Sequence, residues 1–227
     1  MAHRLLSLQP AAPNFTRRLL NAYPAALIGA WVLDEGAGAA VAVDASGNGY
    51  NGTYTGVAAG ADRAPDGRPA PRFGGEGAVI VPDDAALTPA AFTLAFWLRL
   101  AAHAPYGGII GKNEASWSEA GYAFAFAGGY LGWLNSYTES GVSRLDPALN
   151  RWQHWALSYD GEFVRLYRGG VLAAVRAYST PITPAAVPLT FGRTPGAADM
   201  RGSLARVGLW GAALTAAQIA ALAADAL

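Results

Sequence analysis

Residues 151–179 read RWQHWALSYDGEFVRLYRGGVLAAVRAYS, a stretch that writes three strands joined by two tight turns. Asp160-Gly161 and Gly169-Gly170 are two-residue connections that tolerate positive φ and so match the twist of the strands on either side. Ahead of the first turn, Trp155, Leu157 and Tyr159 alternate with Ala156 and Ser158; beyond it, Val164 and Leu166 alternate with Phe163, Arg165 and Tyr167. Alternation with period two gives each strand two unlike faces, one expected in the core and one in water. A three-stranded meander cannot bury its own apolar face, so the rest of the chain must supply a second sheet to cover it. The expected fold is all-β, a two-sheet antiparallel sandwich.

Composition agrees with this reading. The chain has 227 residues, 52% hydrophobic and 14% charged, with 28 glycines and 14 prolines. That is ample material for one core and many turns, and no polar linker divides it, so one domain is expected. Sixteen basic residues balance sixteen acidic ones, which removes the electrostatic case for nucleic acid or an anionic membrane as partner. Lys112 is the single lysine among the basic residues, read here as a compositional bias. The absence of cysteine excludes disulfides and thiolate metal sites. Near the start, Leu5, Leu6 and Leu8 are cut off by Gln9 and Pro10 before a secretory core is long enough, and the apolar run 22–33 is too short to span a bilayer.

Residues 1–26 read as an arm. Pro10, Pro13 and Pro24 bracket a short segment in which Asn14 can cap a helix carrying Phe15, Leu19 and Leu20, either packed on the chain itself or docked on a partner. The first strand is expected over 27–33. The loop 44–53, DASGNGYNGT, sets glycines among short oxygen-bearing side chains. Two readings of it stand: Asx turns that bond their own backbone, or a cradle for a hard cation such as calcium, with Asp44 and Asn48 as ligands.

Further strands are expected at 78–81, 92–100, 107–112, 122–127, 131–136, 189–192 and 204–210, with the fifth pairing the fourth across Gly128-Gly129. Tyr106, Trp117, Tyr130, Trp133 and Tyr137 fall at strand ends and loops. They are either packing residues or a platform on which sugar rings stack; Trp117, Tyr130, Trp133 and Tyr137 are the candidate glycan-binding set. His154, inside a strand and without a Ser or Cys motif beside it, is expected as a packed, hydrogen-bonded core histidine. At the C-terminal end, Thr215 and Gln218 form a capping box, Leu214 staples onto Ile219, and Ile219, Leu222 and Ala223 face the sandwich from a helix.

Five pieces of the chain, in order, resemble the LamG-like jelly-roll domains of the concanavalin A-like lectin and glucanase superfamily. They are WVLDEG at 31–36, DASGNG at 44–49, FTLAFW at 92–97, RWQHWALSYDG at 151–161, and residues 202–210 with the helix after them. The resemblance covers 27–223 and implies two curved antiparallel sheets, with calcium near the Asp44 loop in many members. The family often carries an acidic pair in the last strand, where this chain has Leu204-Ala205-Arg206-Val207; that substitution removes a ligand and places a cation beside the loop. The arm, with YPAALIGAW at 23–31, also resembles the way such domains begin in bacteriophage structural proteins.

Glycoside hydrolases of this superfamily need two carboxylates flanking the bond, yet strands 92–100, 122–127 and 152–159 hold neither Asp nor Glu, so no catalysis is expected. Two functions survive. The first is a virion structural or accessory protein, a capsid decoration or tail component assembled in the host cytoplasm, whose arm docks on other virion proteins or on copies of itself. The second is a carbohydrate-binding module for a cell-surface or extracellular glycan.

Overall fold

The computed structural model describes residues 19–104, 106–114, 120–126, 131–142, 147–195 and 198–224. Two eight-stranded sheets face each other. The first runs β13 (Val171–Ala177), β12 (Phe163–Arg168), β11 (Trp152–Tyr159), β7 (Phe92–Leu100), β16 (Arg201–Trp210), β5 (Pro69–Gly74), β4 (Ala58–Arg63), and β1 (Leu27–Trp31) pairs with β16 off this path. The second runs β10 (Trp133–Leu134), β9 (Gly121–Ala125), β8 (Gly107–Asn113), β14 (Leu189–Phe191), β6 (Ala78–Val81), β3 (Gly52–Thr55), β2 (Val41–Ala42). Beside β8 a two-residue strand, β15 (Ala198–Asp199), pairs in parallel; the other ladders are antiparallel. A four-residue helix, α1 (Tyr137–Ser140), follows β10, and α2 (Ala216–Ala223) follows β16.

The meander 151–179 folds as its alternation predicts: Trp155, Leu157, Tyr159, Val164 and Leu166 point between the sheets and are buried. Rings bridge the two layers. Phe96 meets Phe124 edge-on at 4.8 Å, Phe124 meets Trp155 at 5.6 Å, and Trp31 meets Phe191 at 5.1 Å, the edge-to-face geometry that aromatic quadrupoles favour.

The expectation that the other face of this sheet is wet holds only at its edge. On β7, β11 and β16 the outer residues Ala95, Ala156 and Trp210 are buried under Leu214, Ile219 and Leu222 of the C-terminal segment, joined by Leu19 from the arm. Ala95 and Ala156 are small enough for a helix to lie across them. The capping box that starts α2 is present, with the Thr215 side chain accepting from Gln218 N and Gln218 reaching back to Thr215 N at 2.8 Å. Leu19 and Leu20 therefore pack on the chain's own sheet, a correction to their reading as docking residues; Phe15 lies outside the described residues.

Two strands are shorter than expected. The first strand stops at Trp31 because Leu33 takes φ 60, and β10 shrinks to two residues, pairing Trp133 with Ala123 and Leu134 with Tyr122. Sequence reading passed over β2 to β5, whose short, glycine- and proline-rich stretches lack a clean alternation.

Candidate functional site: a cleft at one end of the sandwich

At the end of the sandwich where β7 finishes and β8 begins, the chain leaves a cleft of about 520 Å3, within the roughly 300–1,000 Å3 of small-ligand sites. Leu100, Ile109 and Met200 form its buried apolar floor. Phe126, just past β9, and His103, in the β7–β8 connection, meet as an edge-to-face pair with ring centroids 5.5 Å apart. Tyr106, in the same connection, is 54% exposed.

Glycines make the space. A Cβ at Gly108 would stand 2.2 Å from Thr194 N, so only glycine lets β8 approach that segment. Gly75 takes φ +98, and a Cβ there would sit 2.9 Å from Arg201 Nε, so the Arg201 side chain lies across the gap that Gly75 leaves. Parallel pairing of β15 with Gly107 and Gly108 brings Asp199 to the same rim. Its carboxylate accepts from Arg193 Nε at 2.9 Å and from a terminal nitrogen of Arg193 at 2.7 Å, a bidentate pair that raises the Arg193 pKa through that hydrogen bond. Among the described residues the lining contains no second carboxylate and no nucleophile paired with a base.

Residues singled out from sequence go elsewhere. Trp133 is fully buried against Ala123 and Ala125, which corrects its reading as a sugar platform: the alanines on β9 leave room for an indole to lie against the face opposite Tyr122 and Phe124. Trp117 and Tyr130 lie outside the described residues. Tyr137 starts α1, and its side chain is likewise not described. His154 is buried as expected, edge-on to Trp97 at 5.4 Å, and burial lowers its pKa to about 3. Its Nδ1 has no hydrogen-bond partner, which departs from the bonded histidine foreseen.

In the 44–53 loop, Asp44 accepts four hydrogen bonds. Ala30 N and Ser46 N reach Oδ1 at 2.9 Å, Ser46 Oγ reaches Oδ2 at 2.8 Å, and Tyr50 N reaches Oδ2 at 3.0 Å. Asn48 Nδ2 donates to the carbonyls of Leu27 and Ile28 at 3.1 and 2.9 Å. The carboxylate thus ties the loop to β1. Among the described residues no three acidic or His side chains gather to hold a metal. Arg206, at a bulge in β16 with φ 53, pairs its guanidinium with Asp66 of the β4–β5 hairpin.

A laminin G-like family model of the concanavalin A-like lectin/glucanases superfamily matches residues 73–220. The chain belongs to this superfamily. No curated protein matches it, but solved structures do.

Domain 4 of AbnA, a GH43 extracellular arabinanase from Geobacillus stearothermophilus, in complex with arabinotriose, superposes with TM-score 0.64 at 16% identity, over 87% of this chain and 98% of that one. Trypanosoma rangeli sialidase gives 0.62 at 13%, over 87% and 33%. The binding domain of Paraclostridial Mosquitocidal Protein 1 gives 0.62 at 17%, over 87% and 52%. The superfamily chain therefore spans nearly all of the arabinanase domain, a third of the sialidase and half of the toxin fragment. At these identities the likeness is one of fold.

Proposed function

We propose that this sandwich is a non-catalytic carbohydrate-recognition module and that the Phe126–His103 cleft is its binding site. The observation that carries the reading is the cleft itself: an apolar floor, two rings, and charged groups only at the rim, which suits the C–H faces and hydroxyls of a sugar. Support also comes from the arabinanase domain, which matches over nearly its whole length and was solved with a bound arabinose trimer. Most glycoside hydrolases place two carboxylates about the glycosidic bond; among the described residues the cleft is lined by Asp199 alone of the acidic side chains, and Arg193 engages it.

A glycan-array screen with the full chain tests this. At least one glycan class is expected to bind, with affinity falling about tenfold in Phe126→Ala and in His103→Ala through lost ring contact, while circular dichroism stays native in the exposed His103→Ala variant. No reducing ends should be released from the bound glycan. Absence of any bound glycan, or binding untouched by both substitutions, would sink the proposal.

A capsid- or tail-borne attachment protein would use the same sandwich. We place it second, because Leu19 and Leu20 of the arm are spent on the chain's own sheet. Stoichiometric presence of the protein in purified virus particles is the observation that would raise it to first.

A further inference from the structure

We infer that the cleft selects an acidic saccharide, one whose ring carries a carboxylate or sulfate; this rests on the carbohydrate reading above and deepens it. The charge at the cleft is not balanced. Asp199 and Arg193 cancel through their bidentate pair, at 2.9 and 2.7 Å. Arg201 lines the same cleft, is exposed, and has no carboxylate partner among the described residues. Glu76, the neighbouring acid in sequence, is exposed and is not part of the lining. The cleft therefore presents one guanidinium without a carboxylate partner among the described residues, and His103 lines the same cleft.

The position of that guanidinium is also constrained. Residue 75 has no side chain, and the stem of Arg201 passes over it, with Cγ 3.2 Å and Nε 2.9 Å from where a Cβ would be. Backbone pairing holds the other end: Arg201 stands opposite Gly74 in the β16–β5 ladder, and its carbonyl accepts from Ala101 N at 2.8 Å. A planar fork of N–H donors at the rim of a cleft with an apolar floor matches an oxyanion on a sugar stacked against Phe126. A neutral sugar offers that guanidinium only hydroxyl acceptors, weaker than the charge-assisted pair with a carboxylate or sulfate.

The array that tests carbohydrate binding can be read in three panels: glycans with uronic or sialic carboxylates, sulfated glycans, and neutral glycans of matching linkage. Binding is expected in the carboxylated or sulfated panel, about tenfold to hundredfold tighter than to the neutral counterpart, and weakening as salt rises. Arg201→Ala should abolish that preference and leave the melting temperature unchanged, since Arg201 is exposed; Arg201→Lys should restore part of it. Binding confined to neutral glycans, or an acidic preference that survives Arg201→Ala, overturns this inference while leaving the module a lectin. Binding to no panel overturns both.

Discussion

His154 shows how one side chain's burial becomes a property of the whole protein. Its neutral ring sits in the outer layer of the first sheet against Trp97, and desolvation lowers its pKa from 6.5 to about 3. The unfolded chain takes up a proton near pH 6.5 and the folded one does not, so stability is fully present above that pH and is lost as pH falls towards the folded value. The slope approaches about 1.4 kcal/mol per pH unit for one proton. Denaturant midpoints measured between pH 7.5 and 4.5 should show this decline, and His154→Gln should flatten it; an unchanged slope in the variant would assign the decline to other groups. Lys112 makes the complementary case. Its ammonium, on a fully buried side chain, donates to Asp83 and, at 2.7 Å each, to the carbonyls of Ala185 and Val187. What composition presents as bias is a buried charge with its donors satisfied.

Among the elements, the 44–53 loop and α2 were both legible, but with different completeness. The capping box at Thr215 and Gln218 is a local pattern, and it forms as read. The loop's composition allowed either turns or a cation, and local spacing cannot choose, because the same oxygens serve both. The contacts with β1 favour a loop held by hydrogen bonds: Asp44 reaches Ala30 N, and Asn48 reaches Leu27 O and Ile28 O. Calcium addition or chelation is accordingly expected to leave the melting temperature unchanged, whereas Asp44→Asn, which cannot accept at both atoms, should cost about 1–3 kcal/mol. A melting temperature that rises with calcium would show the carboxylate exchanging its protein donors for metal.

At the scale of the whole molecule, β16 pairs with β1, β7 and β5, drawing chain segments more than a hundred residues apart into one sheet. Such topology leaves no part able to fold by itself, so unfolding followed by tryptophan fluorescence and by far-ultraviolet circular dichroism should coincide in one transition. Two separated midpoints would reveal independent units. By itself the sequence determined the strands of the meander, β6 and β7, the cap of α2 and the two-layer sandwich, because alternation and turn residues act within a few positions and a half-apolar sheet must be covered. The tertiary structure decided the rest. It buried Trp133, roofed the outer face of β7, β11 and β16, and gathered Gly75, His103, Phe126, Asp199 and Arg201 at one cleft. No sequence pattern could announce these, since burial and site formation depend on which distant segment arrives beside each residue, and that is fixed only when the two sheets close.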